Sequence, residues 1–194
     1  PVRDKVVPIL YRPFDVRHTY YTGRSRGFIC MPRPEVMQHM LAGENLALAT
    51  TRNVEIGVGY QHAFCTTTLI QHHSVSLKEV NYFFPLYLYL KPGQTKNGKA
   101  GVGRYMSMML FEPKEPYGAR QPNLDAAIVG ALASAYGKAP TPEAVFHYIY
   151  AVLYAPTYRT KYAEFLRMDY PRIPFTSDAE LFKELAALGE KLVA

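Results

Sequence analysis

Cysteine is scarce: Cys30 and Cys65 are the two in 194 residues. Both lie in apolar runs, with no CxxC and no Cys/His ligand spacing around them. That pattern reads as two reduced, buried thiols of a cytosolic protein rather than a metal centre, with a disulfide between them unsupported. No run of about 18 apolar residues exists, so no segment is long enough to form a membrane-spanning helix. The N-terminus lacks the basic, apolar and small-residue succession of a secretion signal. The chain opens on Pro1 without a methionine and reads at once like domain interior, which leads us to expect a segment taken from a longer polypeptide.

The motifs that carry catalysis are missing as well. No GxxxxGKS/T phosphate loop is present, and Gly101-Val102-Gly103 sits in a lysine-rich segment, where a lone GxG is weak evidence of a nucleotide site. An adenine methyltransferase needs an Asn/Asp-Pro-Pro-aromatic motif. Asn81-Tyr82-Phe83-Phe84 lacks the prolines. Metal-dependent nucleases need clustered carboxylates, whereas residues 1–122 hold only eight acids, scattered along the chain. GxSxG is absent, and no serine or cysteine has local support as a nucleophile. His72-His73 invites a metal or acid–base reading, but adjacent histidines in a strand point to opposite faces and make a poor shared ligand set. His147 falls in an aromatic helical run and reads as a core or rim residue. These absences imply a chain that is not itself an enzyme and holds no cofactor.

Positive charge is present and unevenly placed. Residues 1–122 carry 15 Lys+Arg against 8 Asp+Glu, a net +7, while residues 123–194 carry 7 against 8, a net −1. Localised basicity is the electrostatic footprint of a surface that meets a polyanion. The densest part is Tyr11–Arg33, with Arg12, Arg17, Arg24, Arg26 and Arg33. Within it, Thr-Gly-Arg-Ser-Arg-Gly lies between two extended-looking runs, and Gly23 and Gly27 allow turns that other residues resist. Guanidinium forks on such a loop suit phosphate oxygens and the edge of guanine. The same arginines would serve equally well in exposed pairs with nearby carboxylates. Tyr20, Tyr21 and Tyr60 lie beside basic segments and are candidates for stacking on bases.

The chain reads as α+β, with a β-rich basic part at 1–122 and a helical part at 123–194, the two possibly one continuous domain. In the first part, extended runs flank the arginine loop, and Pro34 opens a helix over PEVMQHMLA that Gly43 stops. NLALATTR, HAFCTTTLI and YFFPLYLYL read as strands, with Pro85 breaking the last. KPGQTKNGKAGVGRY is a long loop, and EPKEPYGARQP a proline-broken connector. In the second part, LDAAIVGALASAY ends at Gly137, and Thr141 with Pro142 starts the EAVFHYIYAVLY helix. TYRTKYAEFLRMD is a third helix. Ser177 and Glu180 form a capping box for a last one, whose apolar stripe is Leu181, Phe182, Leu185, Leu188 and Leu192. Tyr148, Tyr154, Tyr158 and Tyr162 read as core with hydroxyls at the rim. Arg159 and Arg172 are candidates for ion pairs with Glu164 or Asp169.

The segments YRPFDVRHTYY, SRGFICMPRPEVMQHML, NLALATTR, YFFPLYLYL and PEAVFHYIYAVLYAPTYRTKYAEFLRMDYPRIP resemble, in the same order, the C-terminal specificity region of type ISP restriction–modification enzymes. That resemblance implies a target-recognition domain for double-stranded DNA. It belongs to a polypeptide whose nuclease, DNA motor and adenine-N6 methyltransferase would use magnesium, ATP and S-adenosylmethionine elsewhere in the chain. The near-neutral charge of the helical part suits protein packing, and that part is expected to brace the reading surface or to dock it against the methyltransferase. Residue types and loop placement, not the resemblance, nominate the contacts. Arg24, Ser25 and Arg26 are expected at or near bases, then Arg33 and Arg52, while Arg17, Lys96, Lys99 and Arg104 are expected at phosphates. Two other readings remain: a single-stranded nucleic-acid binder that stacks tyrosines, and a protein-docking module with a basic face.

Overall fold

The computed structural model describes residues 2–25, 31–55, 59–90 and 120–194. The long glycine- and lysine-rich loop, Arg26 and Cys30 lie outside the described residues, as do Lys96, Lys99 and Arg104.

After a short 3-10 turn at Arg3–Lys5, strands β1 (Val6–Arg12) and β2 (Asp15–Tyr20) form an antiparallel hairpin joined by Pro13 and Phe14. The two-residue strand β5 (Leu69–Ile70) pairs parallel with Ile9 and Leu10 of β1, giving the order β2-β1-β5. Pro8 is tolerated in this middle strand because β5 does not extend to it. Helix α1 (Pro34–Leu41) starts on Pro34 and buries Met37 and Met40 against Leu10, Leu69 and Ile70.

The second sheet has the order β4-β3-β6, built from β3 (Ala47–Thr51), β4 (Ala63–Thr66) and β6 (Asn81–Pro85). Ala47 and Ala49 are fully buried on the face toward the first core, where Phe83 also packs. Leu48 and Thr50, opposite Phe84 and Tyr82, face the helices. Leu86 then takes the chain out of β6 into β7 (Tyr87–Tyr89), which pairs with β8 (Arg120–Pro122). Two expectations are corrected here. HAFCTTTLI is split between two sheets, and the end of the proline-broken connector is a strand. Pro122 is tolerated because it is the last residue of β8, in a ladder of only two strands.

Buried Asn45 holds this junction. Its Nδ2 donates to the carbonyls of His39 at 3.0 Å and Tyr87 at 2.8 Å, and its Oδ1 accepts the Tyr87 N–H at 3.0 Å. Gly43 has a second duty beyond ending the helix. A Cβ there would lie 2.7 Å from the Tyr89 hydroxyl oxygen, so the absent side chain makes room for the phenol.

The helices are α2 (Ala126–Tyr136), α3 (Pro142–Tyr154), α4 (Pro156–Lys161), α5 (Ala163–Met168) and α6 (Ala179–Val193). Thr141 caps α3 by accepting the Ala144 N–H at 3.2 Å, with Pro142 in the first turn. Gly137, at φ 72°, ends α2 in the left-handed conformation that glycine tolerates best. The expected third helix is broken into α4 and α5 at Tyr162, whose φ and ψ of −109° and 19° are not helical. The cap of α6 is Asp178 rather than Ser177, with its carboxylate accepting the Glu180 and Leu181 N–H groups at 2.9 and 3.2 Å.

The α6 stripe is also displaced. Phe182, Ala186 and Gly189 are buried, whereas Leu181, Leu188 and Leu192 are exposed. Three helical tyrosines tether the extended segment before α6 by donating to its carbonyls. Tyr158 bonds Arg172 at 2.9 Å, Tyr148 bonds Pro174 at 2.8 Å and Tyr136 bonds Thr176 at 2.5 Å. The ion pairing differs from expectation as well. Glu164 pairs with Arg167 and Asp169 with Arg52, while Arg159 donates to the Leu153 carbonyl at 2.7 Å. Arg172 is exposed and pairs with no described carboxylate; its backbone carbonyl is what holds structure.

Candidate nucleic-acid interface

The two walls of the arginine loop are fastened to each other. β2 leads into Tyr21, whose hydroxyl donates to the Pro32 carbonyl at 2.7 Å. Gly23, at φ 68°, turns the chain so closely past α1 that a Cβ there would sit 3.7 Å from the Pro34 Cβ. This turn leaves Arg24 and Ser25 exposed, and neither pairs with another described residue. On the adjoining wall Arg33 stands at the start of α1, exposed, at φ 46° and 4.0 Å from Glu35. A contact that long and that exposed contributes little, leaving the guanidinium available to a ligand.

His72 belongs to the same neighbourhood. Burial, the ring of His73 and the charge of Arg33 together hold it below the ordinary histidine value. The two histidine rings lie edge to face at 4.6 Å in a turn, not on opposite faces of a strand, and His73 Nδ1 contacts the Glu79 carbonyl at 3.2 Å. Arg33 and His72 are thus close enough to feel each other's charge, and the turn carrying Arg24 and Ser25 passes beside Pro34.

Arg17 and Arg52 are each paired with a carboxylate. Arg17 lies near the hairpin tip, with its guanidinium on the Asp15 carboxylate at 2.8 Å and over the Tyr11 ring at 4.0 Å. The carboxylate raises the Arg17 pKa further, so the charge is permanent. Arg52 follows β3 and reaches the helical part, with Nε 3.1 Å from Asp169 and the guanidinium 5.9 Å from the Tyr170 ring. The backbone N–H of Tyr170 and the Arg52 side chain hold Asp169 below the usual carboxylate range. Both pairs are solvent-exposed and can exchange a carboxylate for a phosphate at modest cost.

The tyrosines nominated for stacking are engaged in the fold. Tyr60 is 7% exposed and its hydroxyl lies 2.8 Å from that of Thr50; burial pushes its pKa up to about 12. Tyr20 accepts the Val2 N–H at 3.3 Å, and Tyr21 spans the loop walls. The sequence placed Arg12 in the basic stretch but assigned it no contact; its guanidinium lies 4.3 Å from the Tyr11 ring centroid and donates to Gln71 at 3.1 Å. Sequence reasoning passed over Phe14 at the hairpin tip. The signal for it was Pro13-Phe14 between two β-rich runs, a turn dipeptide carrying an aromatic ring.

Residues 2–194 match the family described as the Type ISP C-terminal specificity domain. The chain belongs to that family. No curated protein matches. Among solved structures, this Type ISP specificity domain is similar to the cryo-EM structure of a DrdV–DNA complex, at 30% identity and TM-score 0.69. That match covers 100% of this chain and 16% of the other. The fold is shared with the ATP-dependent Type ISP restriction–modification enzyme LlaBIII bound to DNA, at 18% identity, TM-score 0.67 and coverage of 100% and 11%. It is shared again with a nuclease-deletion mutant of the Type ISP enzyme LlaGI in complex with a DNA substrate mimic, at 17% identity, TM-score 0.61 and coverage of 100% and 14%. This specificity domain spans less than a fifth of each of those chains.

Proposed function

We propose that this chain reads the sequence of duplex DNA as the non-catalytic specificity part of a longer cytosolic restriction–modification polypeptide. Its nuclease, motor and adenine methyltransferase parts would use magnesium, ATP and S-adenosylmethionine. The observation that carries this reading is a family match over residues 2–194 coinciding with the exposed Arg24–Ser25 turn beside Arg33. The exposed arginine forks and the serine hydroxyl are donors of the kind that suit base edges, and the Tyr21–Pro32 hydrogen bond ties together the two ends of the segment that carries them. Arg26 lies in the same loop and is assigned with them. Arg17, exposed and ion-paired, is assigned to a phosphate that sets register, together with Lys96, Lys99 and Arg104 from the long loop, and Arg52, first expected near bases, is reassigned to a phosphate because its fork is engaged by Asp169. The helical part is near-neutral and exposes Leu181, Leu188 and Leu192, which suits packing against protein such as the methyltransferase part.

The test is selection of bound sites from a random duplex pool by the protein in its natural reading frame, with and without Arg24→Ala and Arg26→Ala. A bidentate arginine–guanine pair is worth about 1–3 kcal/mol of discrimination, so loss of one should relax the consensus at one position. Arg17→Ala should weaken all sequences alike and lower the salt slope by about one. An unchanged consensus in both loop variants would remove the loop from the reading surface. Stronger binding to unpaired than to paired strands would favour the single-stranded reading instead.

A further inference from the structure

The β1–β2 hairpin ends in a side chain that buries almost none of its surface in the fold. Phe14 is 93% exposed, more than any other large apolar residue described, and its sole ring contact there is the edge of Phe64 at 6.1 Å. Its backbone stands at φ 63°, a left-handed conformation that bulky residues rarely hold and that a glycine would occupy freely. An exposed aromatic in a strained position costs the isolated molecule something and returns little to it.

Just behind the tip, the fold fixes two cations. Arg12 and Arg17 both place guanidinium carbons over the Tyr11 ring, at 4.3 and 4.0 Å. Arg12 is further held by the Tyr11 carbonyl at 2.7 Å and by Gln71, and Arg17 by Asp15. The tip is therefore an apolar ring projecting beyond a braced pair of positive charges. Residues 2–25 also carry Arg3, Lys5 and Arg24, against Asp4 and Asp15.

We propose that Phe14 is a wedge that enters the base stack of duplex DNA, while Arg12 and Arg17 neutralise the phosphates beside the opened step. The inference rests on the reading of this chain as a duplex-DNA binder. Inserted apolar side chains partly unstack a base step and kink the duplex, and the cost is met by contacts that the bent DNA then makes. The cost is lowest at pyrimidine–purine steps, so the selected site should carry TA or CA/TG where Phe14 enters. Phe14 would then contribute specificity without a hydrogen bond.

The experiment uses the 194-residue chain and the duplex it selects from a random pool, with 2-aminopurine scanned along the site and a donor–acceptor dye pair on the duplex ends. The wild-type chain should raise 2-aminopurine fluorescence several-fold beside one flexible step and shorten the end-to-end distance. Phe14→Ala should lose both signals and bind on the order of tenfold more weakly with the same salt slope, and Phe14→Trp should keep both signals. An unchanged fluorescence profile and affinity in Phe14→Ala would overturn the wedge while leaving duplex binding intact. Weaker binding by Phe14→Ala with no fluorescence change in either protein would also overturn it, because the ring would then touch DNA or protein outside the stack. If neither the wild-type chain nor the longer polypeptide that carries it showed salt-dependent affinity for any duplex, the parent reading would fall and the wedge with it.

Discussion

His39 lies near the end of α1, half-buried, and its Nδ1 accepts the Tyr89 N–H at 3.1 Å, so the ring must be neutral there. Burial holds it below the ordinary histidine value, and burial does the same to His62. The sign follows from linkage. The unfolded chain takes up these protons near pH 6.5, before the folded one does, so stability is full above that value and falls as pH drops toward the folded pKa. Urea unfolding at pH 7.5 and pH 5 should show the loss, and His39→Gln should make it smaller; equal pH dependence in the two proteins would place the loss elsewhere. At this scale the sequence exposed chemistry but not partners. It showed that Arg24, Arg33 and Arg52 carry forks. It could not show that Asp169, 117 residues away, would come to Arg52 while no described acid came to Arg24. Ion pairs across such separations are set by the fold, and hydropathy patterns carry no trace of them.

Elements with strong end signals were legible: Thr141-Pro142 and Gly137 delimit helices where capping chemistry requires them. Faces were less so. In α6 the expected stripe of Leu181, Phe182, Leu185, Leu188 and Leu192 shares Phe182 with a second stripe that continues through Ala186 and Gly189, and hydropathy favours the leucines. The structure buries the second because α3 and α6 approach with backbones nearly touching. A Cβ on Gly189 would lie 1.9 Å from the His147 carbonyl oxygen. Small residues win such a face through close packing, at the expense of apolar area. Since backbone cannot move aside as a side chain can, Gly189→Ala should cost about 3 kcal/mol. Phe182, 3% exposed and stacked 4.9 Å from Tyr148, should cost about 3–5 kcal/mol when replaced by Ala. Leu188→Ala, with its side chain in solvent, should stay within about 0.5 kcal/mol. Chemical denaturation of the three variants decides it, and a large loss for Leu188→Ala would restore the leucine stripe to the core.

Across the whole molecule, charge divides where packing does not. The excess of positive charge ends before Asn123, yet Val54, Tyr60 and Ala63 from the basic part lie in one cluster with Leu132, Val145, Tyr148, Leu153 and Phe182. A second cluster joins Leu86 and Tyr87 to Phe146 and Tyr150. The Val54 N–H donates to the Arg167 carbonyl at 3.2 Å, and Arg52 holds Asp169 above it. Composition therefore marks a division of charge without marking a folding boundary, because a change in net charge says nothing about which side chains share an interior. A core shared in this way makes each part's apolar face dependent on the other. We expect the 194-residue chain to unfold in one transition, with helical signal and tyrosine near-ultraviolet signal changing together. A fragment of residues 123–194 should then lack a cooperative transition, since α3 would expose the face that β3, β4 and Tyr60 cover. Adding residues 1–122 in trans should restore the transition if the interface alone is what the fragment lacks. A fragment that melts cooperatively by itself would show instead that α3 and α6 suffice as a core, and that the β-rich part is mounted on a finished helical domain.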